Sequence, residues 1–129
     1  MEIGTKHEVK VTVEHKLTAA NVKSGSLEVF ATPSMVALME QAAAELCQAE
    51  LPEGLTTVGT ALNIEHLAAT ACGVEVRAVA TLEATDGRRY DFTVEAYDNA
   101  GLIGKGTHTR FSVKVDKFLE RAQQRAETK

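Results

Sequence analysis

The stretch from Thr32 to Cys47 reads Thr-Pro-Ser-Met-Val-Ala-Leu-Met-Glu-Gln-Ala-Ala-Ala-Glu-Leu-Cys, and it constrains the fold more than any other segment. It has the signature of a helix start, with Thr32 expected as N-cap and Pro33 at the first helical position, where a missing N–H costs nothing. On a helical wheel Gln41, Glu45 and Gln48 fall together and make one narrow polar stripe. The rest of the surface is almost wholly apolar. A helix of that kind cannot lie on a protein exterior. A curved sheet must wrap it, or a second subunit must cover its other side. Pro52 and Gly54 stop it near Glu50.

The remaining segments supply such a sheet. Val9, Val11 and Val13 alternate with polar residues, so 7–15 reads as a strand. A polar connection through Asn21, Ser24, Gly25 and Ser26 leads to the helix. After it, 58–67 alternates loosely, with Leu62, Ile64 and His66 on one face. Residues 74–84 alternate as Val74, Val76, Ala78, Ala80 and Leu82. Asp86-Gly87 is a tight-turn signal, beyond which Tyr90, Phe92, Val94 and Ala96 mark one face. Asn99-Ala100-Gly101 makes a second turn into a last strand over 102–115, where Phe111, Val113 and Val115 alternate. Asp116 is placed to cap a short C-terminal helix carrying Phe118, Leu119 and Ala122. Strands gathered after one helix argue α+β rather than a parallel doubly wound sheet. A curved antiparallel sheet around one long central helix is the hotdog architecture, expected here over 1–129 as one domain and as a homodimer.

Charge and composition exclude several classes. Lys and Arg number 14 against 18 Asp and Glu, a formal net charge of −4, which argues against nucleic-acid binding. No apolar run approaches a membrane span and no signal-peptide pattern opens the chain, so a cytoplasmic protein without membrane contact is expected. Two cysteines, Cys47 and Cys72, make neither a disulfide framework nor a metal knuckle. His7, His15, His66 and His108 are scattered, so no metal is expected.

Against that background Glu40 is out of place. It lies off the polar stripe, and its neighbours at three- and four-residue spacings are Val36, Ala37, Ala43 and Ala44. A carboxylate on an apolar surface is costly unless it reaches water or a partner such as an arginine. Two other positions stand out with it. Thr32 offers a hydroxyl beside the free amides from Ser34 onward, which suit an oxyanion. His66 exchanges protons near neutral pH. Gly59, in Val58-Gly59-Thr60, lets backbone approach a ligand. Each has a plainer reading as well: a cap, a strand histidine, a bulge.

Val29-Phe30-Ala31-Thr32-Pro33-Ser34-Met35-Val36-Ala37-Leu38-Met39-Glu40 closely resembles the helix-entry motif of the fluoroacetyl-CoA thioesterase-like hotdog family. Val58-Gly59-Thr60-Ala61-Leu62-Asn63-Ile64-Glu65-His66 resembles that family's Gly-Thr-Ala…His strand. Gly87-Arg88-Arg89 and Gly104-Lys105-Gly106-Thr107-His108 resemble its later turn and final strand. The resemblance implies Thr32, Glu40 and His66 as the catalytic set and Gly59 as a lining of the acyl pocket. One departure concerns the acyl group. The specialised enzyme looks aromatic-rich just before the helix entry, whereas Lys23-Ser24-Gly25-Ser26-Leu27 holds no aromatic residue.

The expected activity is hydrolysis of a short-chain acyl-CoA, with Glu40 as general base or nucleophile. Helix-terminal amides near Ser34, with Thr32 or Gly59, would hold the oxyanion, and His66 would protonate the thiolate or orient water. No cofactor is expected beyond the CoA of the substrate, whose phosphates Arg88, Arg89 and Lys105 are candidates to meet. Two rivals are a hotdog hydratase, for which no Asp–His pair is evident, and a non-catalytic acyl-CoA sensor.

Overall fold

The computed structural model describes residues 1–128. A five-stranded antiparallel sheet in the order β1-β3-β4-β5-β2 curves around one long helix. The strands are β1 (Lys6–Thr12), β2 (Leu55–His66), β3 (Glu75–Thr85), β4 (Arg89–Asp98) and β5 (Gly101–Lys114). The helices are α1 (Ala19–Val22), α2 (Thr32–Gln48) and α3 (Val115–Ala126).

The helix lies close to the sheet because the facing residues are small. Ala42 and Ala43 of α2 are fully buried, as are Ala78 and Ala80 of β3 and Ala96 of β4. At Gly104 a Cβ would sit 2.5 Å from Met35 Sδ, so a side chain there would displace the buried Met35 side chain. Met35, Leu38, Met39 and Leu46 complete the helical side of the core, against Val76, Leu82, Phe92 and Val94. The alternations expected for β3 and β4 mark the faces that are in fact buried. The polar stripe of α2 turns to the β1 edge. There His7 Nε2 meets Glu45 Oε1 at 2.9 Å, and Gln41 Nε2 donates to Glu45 Oε2 at 2.8 Å. These bonds, with that to His7 the largest influence, hold the Glu45 carboxyl below its ordinary value.

The sheet covers only one side of α2. Ala37 is exposed, while Val36 and Ala44 stay half-buried. At the sheet's edge β2 has no neighbour beyond it within the chain, and Thr60, Ala61, Leu62 and Asn63 are exposed there, Leu62 at 42%.

Several boundaries differ from expectation, β2 beginning at Leu55 rather than at 58 among them. β1 ends at Thr12: the Val13 amide still bonds Val74 O in register, but the Val13 carbonyl accepts from Gly73 N, where the chain turns. The polar connection holds a 3₁₀ turn over His15–Leu17 and α1, whose first turn Thr18 caps by accepting from Asn21 N. Helix α2 begins one residue early, with Ala31 in the N-cap place, so Thr32 is its first residue and caps nothing. Likewise Lys114 occupies the N-cap place of α3 and Asp116 falls inside its first turn.

Candidate functional site

Thr32 stands at the entrance of α2 and His66 at the end of β2, and their Oγ1 and Nδ1 atoms are hydrogen-bonded at 2.7 Å. That bond explains why Thr32 is no cap: its hydroxyl is turned towards the imidazole instead of back to the helix amides. The first amide that bonds within the helix here is Met35 N, to Ala31 O, so the Ser34 amide belongs to the unsatisfied N-terminal turn. The other ring nitrogen, His66 Nε2, is buried with no hydrogen-bond partner. Burial pushes the His66 pKa down, which keeps the ring neutral to lower pH than a free imidazole. The pair borders a cleft of about 290 Å³ whose wall includes Ala19, Ser24 and Val29.

Glu40 lies elsewhere. Eight residues past Thr32, it is displaced by about 12 Å along the helix axis, and within the chain it faces β2 and β5 rather than His66. Glu40 is therefore apart from the Thr32–His66 pair within this chain. Its carboxylate, 37% exposed, has Arg110 Nη1 at 3.6 Å from Oε2 and His108 Nε2 at 4.0 Å. Of the two plain readings of a misplaced carboxylate, both the edge position and the arginine are realised.

Hydrogen-bond chemistry fixes the protonation of this cluster. Ala61 O can only accept, so His108 Nδ1 carries the proton and donates to it at 2.9 Å. The bare Nε2 then accepts from Arg110 Nη1 at 3.1 Å. His108 is thus a neutral ring, and its 4.0 Å approach to Glu40 is no ion pair. Burial, first, and the Arg110 charge both lower its pKa. Arg110 is held further by Thr57, donating Nε–H to its Oγ1 and Nη2–H to its carbonyl, each at 2.9 Å. The nearby Cys47 thiol is pushed up to about 11 by burial and is unreactive as a nucleophile at neutral pH.

Gly59 belongs here, with a role more specific than a bulge. The register shift of β2 against β5 falls between Gly59 and Ala61. A Cβ on Gly59 would lie 2.6 Å from Glu40 Oε2, 3.0 Å from His108 Cε1 and 3.3 Å from Arg110 Nη1. A side chain at Gly59 would displace the carboxylate, and glycine lets the strand lie against it where it stands.

Of the phosphate candidates, Arg89 is engaged by Asp91 at 3.1 Å and packs over the Phe111 ring. Lys105 pairs in register with Glu95 on one side and Glu65 on the other. Arg88 forms no ion pair among the described residues and borders a separate cavity beside α3. Sequence reading missed Arg110 and Thr57 and gave His108 no role. A signal existed: His108 and Arg110 alternate on one face of β5, the face that is buried, whereas Phe111 and Val113 are half-buried on the other. Among the described residues no group of three or more His, Cys, Asp or Glu side chains could hold a metal ion. Among the described residues no helix is long and apolar enough to cross a membrane.

The model of the FlK family, described as fluoroacetyl-CoA-specific thioesterase, matches residues 13–116. A fluoroacetyl-CoA thioesterase from Streptantibioticus cattleyicolor is 40% identical over 98 residues, covering 76% of this chain and 70% of that protein. Among solved structures, the fluoroacetyl-CoA thioesterase FlK aligns with a TM-score of 0.90 at 33% identity, over 100% of this chain and 98% of that one. A hypothetical protein of Thermus thermophilus, described as a thioesterase superfamily member, aligns with a TM-score of 0.88 at 32% identity, over 99% and 97% of the two chains.

Proposed function

This chain belongs to the fluoroacetyl-CoA-specific thioesterase family, and on that premise we propose that it hydrolyses a short-chain acyl-CoA to the free acid and CoA. The observation that carries this reading is the Glu40 carboxylate. It is partly exposed, flanked by the Arg110 guanidinium, and faces a strand whose nearest residue has no side chain. In this reading Glu40 acts at the thioester carbon, as base for water or as nucleophile. Water supplies the hydroxyl of the acid and the proton that ends on the CoA sulfur. Thr32 and His66 form the second half of the site, His66 Nε2 passing the proton to the departing thiolate. The amides of the first α2 turn, around Ser34, and Gly59 are the donors for the oxyanion. No metal or bound cofactor enters the scheme.

The separation of the two halves within one chain supports a homodimer. β2 is an unpaired edge carrying Gly59 and His66, and it is exposed without a break from Gly59 to Asn63. Antiparallel pairing of two such edges, in the register that sets Gly59 of one strand opposite His66 of the other, brings the two halves together. It also covers the exposed Ala37 side of α2, which would otherwise remain an apolar surface.

The test is release of CoA from acetyl- and propionyl-CoA, followed with a thiol reagent, for the parent and for Glu40→Gln. Turnover by the parent and its near-complete loss in the variant is the expected result. Retention of more than about a tenth of the rate, a loss smaller than removal of a single transition-state contact normally causes, would make Glu40 structural.

A further inference from the structure

In a chain of net charge −4, one cavity gathers four cationic side chains. It encloses about 470 Å³ where the end of β5 meets α3. Arg88 reaches it from the β3–β4 turn, Lys114 from the last position of β5, and Lys117 and Arg121 from α3. Leu55, Ser112, Val113 and Phe118 also line it, and among the described residues no carboxylate does. Among the described residues no ion pair involves any of the four cations. Arg77 and Arg89, by contrast, are each matched to a carboxylate. Packing does not explain the grouping. No residue of α3 is buried, and Phe118 remains 40% exposed. Four like charges around one space repel one another, and an anion bound there relieves that repulsion.

The cavity lies along the same strand as the Glu40 site. Ser112 and Lys114 follow Arg110 at two-residue steps on β5 and so share its face. The β2–β5 register runs without a shift from Gly59–Arg110 to Leu55–Lys114. Lys114 is therefore about 13 Å along the strand from Arg110. An acyl-CoA carries its thioester at one end and a 3′-phosphorylated ADP at the other, joined by a flexible pantetheine arm long enough to span that offset. We propose that this cavity binds the 3′-phosphorylated ADP end of the substrate, its phosphates on Arg88, Lys114, Lys117 and Arg121 and its adenine against Phe118. The assignment rests on the thioesterase reading above.

Two measurements test it. The first is calorimetric titration of the parent and of the Lys117→Glu/Arg121→Glu variant with adenosine 3′,5′-bisphosphate, a probe that carries no thioester. Binding by the parent, weakened by about tenfold or more in the variant, is expected when two charge-assisted contacts are reversed. Both substituted residues are exposed on α3, and an unchanged circular dichroism spectrum confirms that the fold is intact. The second is the ratio of kcat/KM for acetyl-CoA to that for acetyl-pantetheine, which lacks the nucleotide. In the variant this ratio should fall by about tenfold or more, through KM. No bisphosphate binding by the parent, or an unchanged ratio in the variant, overturns the assignment. A parent that binds the bisphosphate but cleaves no thioester would instead defeat the thioesterase reading alone.

Discussion

Thr32 Oγ1 and His66 Nδ1 meet at 2.7 Å, which ties the first residue of α2 to the last residue of β2. The contact joins two elements 34 positions apart and spends the hydroxyl that a helix cap would use. It leaves His66 Nε2 as the ring nitrogen with no hydrogen-bond partner among the described residues.

Thr32→Ala removes no cap bond, and its cost in stability, about 1 kcal/mol, should come from the lost hydrogen bond to His66. Turnover should fall by as much as about 10²-fold, the size associated with one lost transition-state contact. Thr32→Ser should restore most of it. Thermal melts and kcat on acetyl-CoA check both halves. A lowered melting temperature with unchanged kcat would return Thr32 to a structural role.

Gly59→Ala tests the fit of strand to carboxylate. The new methyl would fall 2.6 Å from Glu40 Oε2, so either the carboxylate or the strand must shift. Glu40 is the more movable of the two, being partly exposed. The expected outcome is a folded protein with turnover reduced by more than tenfold, a displacement effect of the kind that misplaced reacting groups show. Full activity in Gly59→Ala would remove Gly59 from the site.

Acid should destabilise the protein through two histidines. Burial holds both His66 and His108 below the ordinary imidazole value, so the folded state keeps them neutral while the unfolded chain takes up protons. Their stabilising contribution is fully present above about pH 6.5 and is lost as the pH falls from there through the folded values. Urea unfolding between pH 7.5 and 5 measures the slope. His108→Gln should make it shallower. It should also shift the midpoint even at pH 7.5, since Arg110 loses its Nε2 acceptor. An identical slope in the variant would remove His108 from this linkage.

Fluoroacetyl selectivity should be modest. The cleft beside Thr32 and His66 is walled by Ala19, Ser24, Val29 and the buried Phe30, and Leu27 projects into solvent at 66% exposure. No aromatic side chain of residues 23–27 covers it. An apolar pocket separates single small groups by only about 1–3 kcal/mol. The ratio of kcat/KM for fluoroacetyl-CoA over acetyl-CoA should then stay below roughly 10⁴, set mainly by the more electrophilic carbonyl. A larger ratio would require a gating element in this segment.

How much of this was legible in the chain depends on the range of the interaction. Local period and turn chemistry marked α2, the buried faces of β3 and β4, and the Asp86-Gly87 turn, where the Asp86 carboxylate accepts from the Arg88 and Arg89 amides. Those features arise from residues within a few positions of one another. The apolar surround of α2 also determined that a sheet must wrap it, and it exposed Glu40 as a misfit in need of a partner. What sequence could not supply was the partner. Arg110 lies 70 positions from Glu40, and only the antiparallel pairing of β2 with β5 turns it to the concave face. The same pairing sets Gly59 beside both, while the closure of β2 on the helix entrance takes the Thr32 hydroxyl from the cap to His66. A cap signal is local and a tertiary hydrogen bond is not, so the first residue of α2 could be assigned only once the sheet had folded over it.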